Sequence, residues 1–284
     1  MAPQSKDFPV QPQTPPGEEW RMTPRPEFIS PSYKAAGKLE KKVAIVTGGD
    51  SGIGRAVAVH FAREGCDVVI AYFNETRDAE ETKAECEAAG AKAVLHQGDL
   101  STKQACIDLV DFCLKSFGQL DVLVLNAAVQ RVCDDIRKIS EAQLEATFRL
   151  NIFSHFYTIQ RALDVLKPGS SIIITSSVNT FHGHAVLLDY TSTKAAEVGL
   201  VRSLATPLAN MGIRINAIAP GPIWTPLIPS TMGDHVTEFG KKTPMGRAGQ
   251  PSECAPAYVY LACNDSSYVS GQTIHINGGT VVNG

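Results

Sequence analysis

No run of apolar residues in this 284-residue chain approaches the length that spans a bilayer, and its first residues carry neither the basic nor the apolar stretch of a signal peptide. Metal-ligand spacing is missing too. The seven cysteines (Cys66, Cys86, Cys106, Cys113, Cys133, Cys254, Cys263) include no C-x-x-C pair, have no histidine nearby at zinc spacing, and are an odd number, so they read as reduced thiols. A basic excess is also absent: 26 Lys and Arg stand against 29 Asp and Glu, a formal net charge of −3. Without a basic stripe there is no electrostatic footprint for a nucleic acid. These absences lead to the expectation of a cytoplasmic protein that binds no metal, membrane or nucleic acid.

What is present is ordinary globular composition, 44% hydrophobic and 19% charged, with length enough for one large α/β domain or two small ones. Eight of the 17 prolines (Pro3, Pro9, Pro12, Pro15, Pro16, Pro24, Pro26, Pro31) crowd into the first 31 residues, where apolar periodicity is absent. Proline fixes φ and removes a donor, so this stretch cannot be the interior of a helix or sheet. Composition alone favours a disordered tail. Trp20, Met22, Phe28 and Tyr33, which a purely solvating tail would not need, point instead to an extended arm lying on a neighbouring surface. The division that follows is a proline-rich arm over 1–37 and one domain over 38–284.

From Lys42 onward, short β-branched runs alternate with helical patterns, the signature of βαβ units and a parallel sheet. The runs predict strands at Val43 to Thr47, Val68 to Tyr72, Ala93 to His96, Val122 to Leu125, Ile172 to Thr175, Ile213 to Ile218 and Thr273 to Ile276. Helix ends are legible as well: Ile53, Val57 and Phe61 mark an apolar face before Gly65, and Ser140 with Gln143 forms a capping box. The fold class is therefore α/β, a Rossmann-type doubly wound sheet of seven parallel strands with helices on both faces. No second core and no internal repeat are visible.

The first strand runs into Thr47-Gly48-Gly49-Asp50-Ser51-Gly52-Ile53-Gly54 and then a helix. Gly48 permits a tight turn, Gly52 lets backbone N–H groups approach a pyrophosphate, and Gly54 allows close packing of helix on strand. A glycine cluster alone is often only a turn. Here the strand before, the amphipathic helix after and the second strand all agree on a dinucleotide site.

Tyr190 and Lys194 stand four residues apart on a helical stretch from Tyr190 through Met211, and so share a face. A free tyrosine is a poor base at neutral pH, and a nearby ammonium stabilises its phenolate. By itself Y-x-x-x-K is common by chance. Ser177 changes the odds, because it lies thirteen residues earlier, just past the strand Ile172 to Thr175, where side chains face the ligand crevice of a doubly wound sheet. Ser176 is the competing serine, with strand-end packing as its bland alternative.

The spacing T-G-x-x-x-G-x-G, together with Asp99 in Gly98-Asp99-Leu100, Asn126-Ala127-Ala128, Asn151, Ser177, Tyr190-x-x-x-Lys194 and Pro220-Gly221-Pro222, resembles the short-chain dehydrogenase/reductase family over about residues 38 to 284. Gln11-Pro12-Gln13 followed by Pro16-Gly17-Glu18 further resembles a branch of stress-associated and uncharacterised oxidoreductases with a proline-rich extension. One departure is Leu125-Asn126-Ala127-Ala128 where the family has N-N-A-G, which touches local geometry and leaves Asn126-Ala127 in place. The resemblance implies an NAD(P)-dependent oxidoreductase that interconverts an alcohol and a carbonyl. It implies catalytic duties for Asn151, Ser177, Tyr190 and Lys194, the lysine also bonding the nicotinamide ribose and the asparagine supporting a water-linked proton relay. The cofactor would lie against Gly48, Asp50, Ser51, Gly52, Ile53, Gly54, Tyr72, Asp99, Leu100, Asn126, Ala127, Tyr190, Lys194, Pro220, Gly221, Ile223 and Thr225.

Tyr72 occupies the position at the end of the second strand that usually decides between NAD and NADP. Asp50 would repel a 2′-phosphate and Arg77 could reach one; NAD is favoured. The substrate lobe should include Val178, Phe181, His182 and His184, with a mobile apolar lid over 223–243 carrying Trp224, Leu227, Ile228 and Phe239. Leu144, Phe148, Ile152, Phe156, Ala195, Val198, Val201 and Leu204 exceed one sheet-facing stripe and suggest a homo-oligomer, in this family a tetramer. The competing functions are a cofactor-binding regulatory protein without turnover, and an isomerase or lyase on the same fold.

Overall fold

All five residues of strand β1 (Val43–Thr47) are buried, as a strand covered on both faces must be, and the sheet grows outward from it on either side. The computed structural model describes residues 8–282, so the first seven residues of the arm, Pro3 among them, lie outside it. Along the chain β2 (Asp67–Tyr72), β3 (Ala93–Gln97), β4 (Val122–Leu125), β5 (Ser171–Thr175), β6 (Arg214–Pro220) and β7 (Thr273–Ile276) follow. They form one seven-stranded sheet in the order β3-β2-β1-β4-β5-β6-β7, and every pairing is parallel. The seven expected strands are all there. Their ends differ by a residue or two because Asp67, Gln97, Ser171 and Ala219 continue a parallel ladder that hydrophobicity alone does not mark.

Helices α1 (Gly52–Arg63), α2 (Thr76–Ala88), α3 (Lys103–Phe117), α4 (Glu141–Phe148), α5 (Ser154–Ala162), α6 (Asn179–His182), α7 (Leu188–Ala209), α8 (Leu227–Thr231) and α9 (Pro251–Ala262) fill the connections. Strand residues alternate between two cores, as the period of two requires. Ala44 and Val46 face Val57, Phe61 and Tyr258 of α1 and α9, whereas Val43 and Ile45 face Leu109, Ile159 and Val201 of α3, α5 and α7. Ser140 caps α4 by accepting from Gln143 N at 3.1 Å. The reciprocal half of the expected capping box is replaced: the Gln143 amide donates to Asp189 Oδ2 at 3.1 Å, tying α4 to α7.

The proline-rich segment lies on the body. Phe8 stacks on Trp224 at 3.8 Å between ring centroids and 9° between planes, inside a third small core with Met22, Ile228, Val236 and Ala248. Trp224 Nε1 donates to Pro24 O at 2.9 Å, and Ser230 Oγ to Pro16 O at 3.2 Å. Trp224 is thus fully buried beneath the arm and does not face the substrate lobe, contrary to its expected place in an apolar cover.

Further along, Glu19 is wholly buried: one carboxylate oxygen accepts from Gly52 N and the other from Arg55 Nη1, each at 2.6 Å. Asp78 accepts from the backbone N–H of Glu19 at 2.7 Å and of Trp20 at 3.0 Å, and its carbonyl from Arg55 Nη2 at 2.8 Å. Arg55 is therefore the hub joining α1, α2 and the arm. Breaking a buried ion pair by removing one partner leaves the other charge unpaired, at a cost of about 3–5 kcal/mol. Arg55→Leu should lose that much stability in urea unfolding, and a loss below about 1 kcal/mol would show that the hub contributes little.

Of the apolar residues expected at an interface between copies, Ile152, Val198 and Val201 are buried in the chain's own core. Leu144 and Phe156 remain exposed, together with Phe153. No helix among the described residues is long and apolar enough to cross a membrane.

Candidate active site

The carboxyl ends of β1, β2, β4, β5 and β6 open into one cleft of about 1080 Å³, at the top of the roughly 300–1,000 Å³ range of small-molecule pockets. A doubly wound sheet reverses strand order beside β1, and ligands lie at such a switch point. Every residue expected to hold the cofactor lines the cleft except Gly54. Gly54 works from beneath, since a Cβ there would sit 1.8 Å from Gly48 O. Only glycine lets α1 approach the turn so closely. Gly52's own N–H is committed to the arm's Glu19.

Asn126 fixes the floor of the turn. Its Nδ2 donates to Thr47 O at 3.1 Å and Gly48 O at 3.3 Å, while Thr47 Oγ1 accepts from Asn126 N at 2.8 Å and Ala127 N at 3.0 Å. Leu125, where the family pattern has an amide, is buried in β4, so this departure from the pattern falls inside the sheet. At the end of β2, Tyr72 lines the cleft with Asp50 and Glu75. Burial pushes the pKa of both carboxyls up, that of Glu75 to about 7 with Asp50 adding to the rise. Arg77 is not among the cleft residues: its guanidinium lies 4.1 Å from the Trp20 ring centroid and 3.3 Å from Glu81.

At the other end of the cleft stand Ser177, Tyr190 and Lys194, each less than a tenth exposed. Ser177 Oγ accepts from Asn179 N at 3.2 Å, and the serine favours the ionised form of Tyr190. Ser176 donates to Lys194 O at 2.8 Å and so is spent on the backbone of α7. Lys194 Nζ lies 5.5 Å from the Tyr190 ring centroid. It donates to Thr175 O at 2.7 Å and to Glu197 Oε1 at 2.8 Å, which leaves one of the three ammonium protons for the cleft.

Burial pushes the Tyr190 phenol above its ordinary value; Lys194 pulls it down and Glu197 pushes it up. The depression expected from Lys194 is therefore outweighed by desolvation, and the neighbouring carboxylate opposes it further. Sequence reading missed Glu197. Its only signal was an acidic residue at i+3 from the lysine, on the apolar side of α7.

Asn151 does not line the cleft. It sits in a π-helical turn, Arg149–Phe153, between α4 and α5, an irregularity that often accompanies functional sites. Its Oδ1 accepts from Val129 N at 2.9 Å, and its Nδ2 donates to Val129 O and Thr193 Oγ1, both at 3.0 Å. The side chain pins the loop after β4 to α7. Pro15, Pro16 and Gly17 of the arm also line the cleft, a place that the Pro16-Gly17-Glu18 motif did not announce. Phe181 is turned away, edge-on to His275 at 4.6 Å, while Val178, His182, His184, Leu227, Ile228 and Phe239 remain at the wall.

These features fit a nicotinamide dinucleotide: a glycine cradle that a Cβ would fill at one end, and a hydroxyl, a phenol and an ammonium at the other. The family model for enoyl-(acyl carrier protein) reductase matches residues 48–281. The chain is 54% identical to an uncharacterised oxidoreductase, YhxC, of Bacillus subtilis, with 95% of this chain and 94% of that protein covered. It is 49% identical to NADPH-dependent aldehyde reductase 1, chloroplastic, of Arabidopsis thaliana, with 94% and 96% covered. A short-chain dehydrogenase from Burkholderia cenocepacia, solved in complex with NADP, superimposes with a TM-score of 0.80 at 30% identity over 85% of this chain and 98% of that one. The chain belongs to the short-chain dehydrogenase/reductase family of NAD(P)-dependent oxidoreductases.

Proposed function

We propose that the protein interconverts an alcohol and a carbonyl, with Tyr190 as the acid/base. The observation that carries this reading is the convergence of Ser177, Tyr190 and Lys194 on one wall of the cleft whose far end is the glycine turn. A bound nicotinamide dinucleotide would supply the hydride acceptor or donor. Gly48, Ser51, Ile53, Asn126, Thr225 and Lys194 are the residues that would hold it. In the oxidative direction Tyr190 takes the substrate hydroxyl proton while Ser177 holds the oxygen, and in reduction the phenol returns the proton. The remaining Lys194 N–H points a positive charge into the cleft. Asn151 acts at one remove by fixing the wall behind Tyr190. An aldehyde or the corresponding alcohol is the substrate class, by analogy with the Arabidopsis relative.

Tyr190→Phe removes only the proton-transferring hydroxyl. It should lower kcat by at least about a hundredfold and leave dinucleotide affinity nearly intact. Lys194→Ala should weaken both. Stopped-flow turnover against a panel of aldehydes and alcohols, with equilibrium dinucleotide titration, separates the two patterns, and a Phe variant with near-normal kcat would sink the acid/base assignment.

NAD is the preferred cofactor in this reading, because Asp50 and Glu75 present carboxyls where a 2′-phosphate would lie and Arg77 is turned elsewhere. Asp50→Ala and Glu75→Gln should each raise affinity for NADP relative to NAD. An unchanged ratio of dissociation constants at fixed ionic strength would place selectivity outside these two residues.

The exposed Leu144, Phe153 and Phe156 of the α4–α5 stretch support a homotetramer built on a two-fold contact. Light scattering at micromolar concentration should return four chain masses. A single chain mass would refute it.

A further inference from the structure

One layer behind the cleft wall lies a charged group with incomplete solvation. Glu197 is fully buried. Its Oε1 accepts from Lys194, and its Oε2 has no hydrogen-bond partner. Opposite, on α5, His155 is buried with neither ring nitrogen partnered, and its Nδ1 stands 3.8 Å from Glu197 Oε1. Burial, aided by the Lys194 charge, pushes the His155 ring down to about 3, so it is neutral and provides no countercharge. The other groups around the carboxyl are Tyr190 on the same helix, Ser176 after β5 and Tyr258 of α9. Tyr258 shares a hydrogen bond of 2.7 Å with Thr175 Oγ1, and burial keeps its phenol un-ionised. Among the described residues Lys194 is thus the only cation set against Glu197.

A buried carboxylate with one oxygen unpartnered is costly, and an apolar residue of similar size would serve the packing as well or better. Its placement matters chemically. Glu197 lies on the far side of Lys194 from the cleft, so its charge subtracts from the field that the ammonium projects on Tyr190. Burial pushes its carboxyl up to about 7 against the pull of Lys194, so both charge states are accessible near neutrality.

We propose, resting on the role given to Tyr190 above, that Glu197 is a positioning residue for proton transfer. Ionised, it holds Lys194 and cancels part of the ammonium's attraction for the Tyr190 phenolate. Protonated, it leaves that attraction at full strength. A group outside the cleft thereby sets the acidity of the group that works inside it, and the coupling is reciprocal: a phenolate at Tyr190 raises the proton affinity of Glu197.

The test is a near-ultraviolet phenolate titration of the full-length protein without substrate, Tyr190 being isolated by subtracting the Tyr190→Phe variant. In Glu197→Gln the carboxylate charge is gone at every pH, and Tyr190 should ionise about one pH unit lower. The acid limb of kcat/KM for alcohol oxidation should move in the same direction. Glu197→Met, which asks for no hydrogen bond in the same apolar surroundings, should repeat the shift and serves if the Gln variant does not fold. A purely structural role would lower kcat at every pH and displace neither titration; that result, or an upward shift, overturns the proposal. If Tyr190→Phe keeps its turnover, the reaction assignment fails, yet the phenolate titration still decides whether Glu197 controls Tyr190.

Discussion

A guanidinium leaves water only when partners wait on every side, and Arg55 finds them in three separate pieces of chain. It takes Glu19 from the arm, Asp78 and Thr82 from α2, and the carbonyl of Asp50 from the glycine turn. Each partner on its own is ordinary. Together they fix the turn relative to α2 and give the arm a binding site that water could not offer. Burial raises the Glu19 carboxyl to about 7 although Arg55 and the Gly52 N–H pull the other way, so the pair holds through geometry and full hydrogen bonding more than through charge alone. The cofactor end of the cleft inherits its shape from this one ion cluster.

The sheet was legible because parallel strands buried on both faces read as near-continuous apolar runs rich in Val, Ile and Leu, and β1, β4 and β5 are such runs. The cleft was legible because its chemistry sits at fixed offsets from strand ends: the glycines after β1, Asn126 after β4, Ser177 after β5. What stayed hidden depends on contacts between residues far apart in sequence. Glu19 and Trp20 carry no pattern that announces Asp78 as their acceptor. Trp224 read as part of a cover because an indole in a loop offers no sign of Phe8. Gln143 satisfied the capping rule, yet Asp189 captured its amide. His155 and Glu197 look unremarkable apart and become chemistry only when α5 and α7 are set side by side.

The Ser177–Tyr190–Lys194 end of the cleft shows a balance that motif reading cannot weigh. Tyr190 and Lys194 at i and i+4 suggest an activated phenol, but burial raises the Tyr190 phenol, and Lys194 divides its ammonium between Thr175 O, Glu197 and the cleft. Asn151 likewise has its amide bonded to Val129 and Thr193, which its motif does not announce.

The arm also bears on the order in which the molecule is put together. Its residues are synthesised ahead of the body they lie on, yet Pro24 waits for Trp224, 200 positions downstream, and Glu27 for Ser252, 225 positions downstream. Until β6 and α9 exist, Phe8 has nothing to stack on, and the roof over the dinucleotide end has no underside. Contacts of such long sequence separation form late because loop closure must precede them. The arm's side of the cleft therefore closes only after most of the body has been made, because Pro15, Pro16 and Gly17 line it from a segment anchored on Trp224 and Ser230.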